Sequence, residues 1–166
     1  CNNDGTPEFT NQTGDVTCTY GSPGEYDISI SGTFPHMYQD YLNPKDPQKI
    51  VDVKQWGDIA WQEMTRMFAG ASNMMMSAID TPDLSRVTHV GGMFIGASLF
   101  NSDINNWDMS NVERMGGMFA GATSFNQPLN NWDVGNVVDM FTLFESASSF
   151  NQSLSNWNVS KVVDMS

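Results

Sequence analysis

The sequence predicts a repeat solenoid: short parallel strands joined by irregular or 3-10 arcs, with a small β-hairpin segment in front. Three observations predict it. Trp107, Trp132 and Trp157 recur at a constant 25-residue step, as do Met115, Met140 and Met165. Two phenylalanine columns, Phe94/Phe119/Phe144 and Phe100/Phe125/Phe150, keep the same step. Two stretches, FNQPLNNWDVGNVVDM and FNQSLSNWNVSKVVDM, repeat the unit almost verbatim. A fixed step of roughly 20–50 residues marks supersecondary units that bury their apolar sides against one another.

The segment of residues 1–34 carries no repeat. Tyr26, Ile28 and Ile30 alternate with Asp27 and Ser29, the period of a half-buried strand. Val16, Cys18 and Tyr20 alternate too, and the turn signal GSPG lies between the runs, so the two predict a hairpin. Residues 35–55 read as a connector and cap, broken by Pro35, Pro44 and Pro47 before the apolar run of Ile50, Val51 and Val53.

Residues 56–166 hold about four units. Val87, Val112, Val137 and Val162 form one column, and Val90, Met115, Met140 and Met165 the next. Phe68 lies one position further from Phe94 than the repeat step, so the first unit carries one extra residue. Pro82 stands in its tryptophan column, and Trp61 and Met64 fall in the valine and methionine columns. Leu129, Trp132 and Val134 have the LxxLxL form of a leucine-rich repeat, which places a short parallel strand there. The steps of three from Val137 to Met140 suit a turn or 3-10 arc on the opposite side. Gly70, Gly96 and Gly121 end that arc, and Glu145-Ser146 replaces the glycine pattern in the last unit.

The unit MFAGATSFNQPLNNWDVGNVVDM resembles the BspA-like branch of the leucine-rich repeats, with its Met-Phe/Trp-Asp repeat, found in surface proteins and lipoproteins of mycoplasmas and Bacteroidetes. The segment QWGDIAWQEMTRMFAGASNM resembles that family's first, capping unit. The resemblance spans about residues 50–166 and implies a secreted or cell-surface protein engaged in adhesion or protein binding, without catalytic residues. GDVTCTYGSPGEYDISISG is similar to the last two strands of a PKD-type β-sandwich, and NNDGT to an earlier turn of it. Cys18 stands where a His is common, and the tryptophan usual before the turn is absent. About 30 residues match, against about 80 to 100 in a whole sandwich of this general kind, so the resemblance implies a remnant or cap.

Composition narrows the function. The net charge is −12, from 19 acidic and 7 basic residues, with no basic cluster. That disfavours nucleic acid and anionic membrane surfaces as partners. No apolar run reaches the length of a membrane span. Neither His36 nor His89 has metal-site spacing, and no nucleophile elbow, Walker loop or dinucleotide fingerprint occurs. The reading is therefore non-enzymatic, with no cofactor and no metal; NNDGTPE only echoes a calcium loop and lacks its closing Glu. His89 reads as exposed beside the Val90 column.

The chain starts at Cys1, as a mature product or a fragment. Cys1 and Cys18 are the two cysteines. Paired, they would close a loop worth about 3 kcal/mol. Alternatively Cys1 carries a lipid, the one route to a membrane, or both are free thiols.

The Trp, Met and Phe columns read as core, which moves the functional expectation to the polar columns. Asn101, Asn126 and Asn151 read as an internal ladder bonded to the backbone of the next turn. Asn106, Asp108, Asn131, Asp133, Asn156 and Asn158 read as an outward strand face and are the candidate binding residues, for a protein or glycan ligand at a cell surface. Carboxylates stacked one strand apart repel, by roughly 0.9 kcal/mol in water. A cation, a basic partner or backbone amides in a turn would relieve them. A second expectation is a filament or surface-layer subunit that self-assembles head to tail through open solenoid ends.

Overall fold

The computed structural model describes residues 9–12, 19–39 and 47–166. Two compact units divide the chain, Cys1–Gly32 and Thr33–Ser166. In the first, Tyr20 and Tyr26 stack with ring centroids 4.1 Å apart, and the Tyr26 hydroxyl donates to the Ser22 carbonyl at 2.7 Å, closing the GSPG bend. The predicted hairpin is not seen in the described part. Tyr26, Ile28 and Ile30 form no strand, and Ile28 is 67% exposed. Alternation yields a strand only when a partner covers the apolar face. Val16, Cys1, Cys18 and the NNDGTPE loop lie outside the described residues, and with them both readings of the cysteines.

In the second unit, segments one repeat apart lie side by side. Met64, Val90, Met115 and Met140 each donate a backbone N–H forward, to the carbonyls of His89, Arg114, Asp139 and Asp164, at 2.8–3.1 Å. Arg114, Val138 and Val163 donate back, to Thr88, Glu113 and Val138. Parallel bridges run through His89, Arg114, Asp139 and Asp164. Regular structure is otherwise sparse among the described residues: a 3-10 turn at Pro47–Lys49 and two parallel strands, β1 (Asp52–Val53) and β2 (Met75–Met76).

In these repeats the ladder thus falls beyond the expected strand, on its C-terminal side, although in the first repeat a bridge from Ala60 to Asp83 does fall at that strand's position. Residues 129–134 form no strand; Trp132 N–H donates to Leu129 and Val137 N–H to Val134, both tight turns. Side chains make the lateral link there instead. The Trp132 indole N–H donates to the Ile104 carbonyl and that of Trp157 to the Leu129 carbonyl, each at 2.9 Å.

Around the Met-Phe pair, tight turns alternate with lateral bonds. Met93 N–H bonds to Val90 within the segment, while Phe94 N–H crosses to Met118. Two backbone columns impose this. Arg66, Gly92, Gly117 and Thr142 have φ of 55, 61, 63 and 50°, and Gly70, Gly96, Gly121 and Ser146 have φ of 76, 70, 71 and 57°. Left-handed residues interrupt a continuing helix and free alternate amides for the neighbouring segment.

The core follows the columns. Val87, Val112 and Val137, with Phe94, Phe119 and Phe125, are completely buried, and none of the described polar or charged residues is buried. Phe94 stacks on Phe119 at 5.8 Å, Phe119 on Phe144 at 5.5 Å, and Trp132 on Trp157 at 6.3 Å. Each such side chain contributes roughly 1.5–3 kcal/mol by burial. Pro82 supplies no aromatic ring in the first layer. Trp56 comes in instead, 5.6 Å from Trp107 and 6.0 Å from Phe68. The indole N–H groups of Trp56 and Trp61 are buried without a partner.

Residues 34–39 add one more rung to the ladder. The Pro35 carbonyl accepts from the Gln62 and Glu63 amides, as Thr88 does from Glu113 and Arg114, and Gln39 N–H donates to Arg66. Phe34 closes the layer with its ring 5.8 Å from Trp61.

Candidate functional site

The six candidate residues all lie on the surface. They sit in turns rather than on a strand, because the backbone ladder runs elsewhere. Asp108, Asp133 and Asn158 each accept, through Oδ1, the amide two positions ahead: Ser110 at 3.1 Å, Gly135 at 2.9 Å and Ser160 at 3.2 Å. An Asx side chain mimics a backbone turn in this way, which is why Asp and Asn fill the column. The Ser110 hydroxyl and amide together hold the Asp108 carboxyl below its usual value. The local amides thus give the relief that a cation or basic partner would otherwise supply.

The column has a further member, which the tryptophan pattern conceals. Asp83 stands one repeat before Asp108 and accepts the Ser85 amide at 3.0 Å. The Ser85 hydroxyl, then its amide, with Arg86 nearby, lower the Asp83 pKa. A signal for it exists in the sequence: Pro82 falls in the tryptophan column, and the Asp follows it directly.

Asn106, Asn131 and Asn156 flank the same turns. Asn131 N–H donates to Asn105 Oδ1 at 3.0 Å, a link between neighbouring segments. Alongside, Asn136 Nδ2 donates to the Ser110 carbonyl and Lys161 Nζ to Asn136 Oδ1, both at 2.7 Å. The site is a set of polar turns held in register by these cross-segment bonds and by the tryptophans packed behind them.

The other asparagine column is structural. Asn126 N–H donates to Asn101 Oδ1, and Asn151 N–H to Asn126 Oδ1, both at 2.9 Å. Gln127 and Gln152 add their Nε2 groups to the same two oxygens. This is the expected internal ladder. His89, expected exposed, is half-buried, with Nδ1 2.8 Å from the Thr88 hydroxyl.

The repeated part of the chain, residues 62–166, matches the family described as Mycoplasma protein of unknown function, DUF285. The chain belongs to that family. Membership points to a surface protein of mycoplasma type and leaves its activity open. No curated protein and no solved structure matches the chain. Among the described residues of this family member, no helix is long and apolar enough to cross a membrane.

Proposed function

We propose that this family member is a non-enzymatic extracellular binding module of the leucine-rich-repeat-like solenoid class, displaying its polar turn columns to a protein or glycan. The observation that supports this is one of division of labour. The Phe and Trp columns of the repeat pack into the core, while Asp108, Asp133 and Asn158 are exposed with their orientation already fixed by the Ser110, Gly135 and Ser160 amides. Groups ordered before contact lose less entropy when a ligand arrives. Neighbouring Asn106, Asn131 and Asn156 add amide donors and acceptors suited to hydroxyl-rich or peptide ligands.

The test is binding of the labelled chain to an array of glycans and extracellular-matrix proteins. A triple variant, Asp108→Ser, Asp133→Ser and Asn158→Ser, keeps a hydroxyl to cap each turn and removes the Asx group. Loss of binding with unchanged thermal stability supports the face. Undiminished binding removes it.

Head-to-tail assembly into a filament is the alternative, and we rank it second. In that case a second copy would cover the apolar groove lined by Leu143, Phe144, Leu154 and Trp157. Such assembly would also need an open edge at the other end of the ladder. There the rung of residues 34–39 already occupies the Gln62, Glu63 and Arg66 backbone groups.

A further inference from the structure

The first repeat is one residue longer than the others, and that residue can be located. Phe68 precedes Phe94 by 26, whereas Pro82 precedes Trp107 by 25 and Asp83 precedes Asp108 by 25. Ala78 keeps the longer step to Ile104, both packed in the core, so the extra residue falls between Ala78 and Pro82. Ile79 lies there and is 102% exposed.

An exposed isoleucine in a loose loop would mean little. This loop is pinned on both sides. Ser77 donates its amide to Asp52 Oδ1 at 2.9 Å and its hydroxyl to Oδ2 at 2.6 Å, and Ala78 N–H donates to Val53 at 2.9 Å. On the other side the Asp80 carboxylate accepts the amides of Trp56 at 3.1 Å and Gly57 at 2.9 Å. The insertion therefore displays Ile79 in a fixed place. Beside it is a cleft of about 100 Å³, with Ile79, Trp107, Asp80, Thr81, Asp103 and Asn106 among its walls. Two carboxylates and no Lys or Arg line it.

We propose that this cleft docks a lysine or arginine side chain of a protein partner. The aliphatic stem would lie on Ile79, and the cation would reach the Asp80 and Asp103 carboxylates. Long basic side chains suit such a site because they carry an apolar stem and a charged head. The chain's charge of −12 draws cationic partners from a distance. This deepens the protein-binding reading above and shares Asn106 with it, but its charged contacts are Asp80 and Asp103 rather than Asp108, Asp133 and Asn158. The triple variant there should leave this cleft unaffected, so the two can fail separately.

The test is an NMR titration of the full chain, labelled at isoleucine methyls and tryptophan indoles, with N-acetyl-arginine amide, N-acetyl-lysine amide and uncharged N-acetyl-norleucine amide. The expected result is saturable shifts of the Ile79 methyl and Trp107 indole signals with the two cations and none with norleucine. Asp103→Asn keeps the Oδ1 that accepts the Asn105 amide and removes only the charge. It should weaken binding about fivefold, the loss of one unit-charge contact near 4 Å in water. Ile79→Ser should weaken it too, with the other tryptophan signals in place as proof of folding. Equal shifts with norleucine, undiminished binding by Asp103→Asn, or no saturable shift with either cation would overturn the proposal.

Discussion

Asn126 lies in the middle of the asparagine ladder, and its side chain acts through one oxygen. Oδ1 accepts the Asn151 amide and the Gln152 Nε2 group, both at 2.9 Å. Asn126→Ala removes both bonds. Each is worth about 0.5–1.5 kcal/mol net, and the Asn151 amide is exposed enough for water to replace its partner, which favours the lower end. The expected cost is about 1–2 kcal/mol, or roughly 4–7 °C in Tm for a unit of this size. Asn126→Asp has nearly the same shape and keeps both acceptor sites with a charge that strengthens them. It should stay within about 0.5 kcal/mol of the parent at neutral pH. Tryptophan fluorescence during thermal and urea unfolding reads both variants, since Trp132 and Trp157 pack on the segments that the ladder joins. Equal destabilisation by Asp and Ala would refute the reasoning, because it would mean that the amide's donor, not its acceptor, holds the segments together.

Thr142 and Ser146 occupy left-handed positions that earlier units mostly give to glycine, so Thr142→Gly should raise stability by about 0.5–1 kcal/mol, and Ser146→Gly by somewhat less, in urea unfolding. Trp132→Phe should cost about 1–3 kcal/mol by leaving the Ile104 carbonyl without its buried indole donor, and Trp132→Ala about 3–5 kcal/mol; a Tm for the Phe variant equal to the parent's would show that the indole bond contributes nothing. At Asp80, burial raises the carboxyl pKa, but the Trp56 and Gly57 amide bonds outweigh it and the net shift is downward. A group whose folded pKa lies below its unfolded one stabilises the fold above the unfolded value, about 3.9, and that contribution fades as pH falls through the folded value. Asp80→Asn should flatten the loss of Tm below about pH 4, and an unchanged acid limb would count against this role.

The core was legible because spacing carries it. A column that recurs once per unit in one order fixes which side chains meet, and Phe94, Phe119 and Phe144 stack accordingly. The Asn101/Asn126/Asn151 ladder followed from the same logic. The position of the backbone ladder did not. LxxLxL describes which residues point inward, not which amides pair, and here Asp133 and the Trp132 indole take over the local and lateral bonding. Ladder position depends on φ at Gly92, Gly117 and Thr142, and neither Arg66 nor Thr142 advertises a left-handed residue. Trp56 was hidden because it fills its layer from outside the repeat register. The candidate residues lie on the surface as the sequence suggested, but in turns rather than on a strand. Asx turns depend on the amide two positions ahead, which a column-by-column comparison does not weigh.

The forward half of the ladder bonds has a consequence for synthesis. Met64, Val90, Met115 and Met140 give their amides to carbonyls of the following repeat, His89, Arg114, Asp139 and Asp164. A segment leaving the ribosome therefore cannot complete its own bonding until the next one has emerged. Bonding lags synthesis by one full unit, and until then the newest segment keeps one side of its Phe and Trp rings uncovered. During that interval, each unit depends on a successor that has yet to be made.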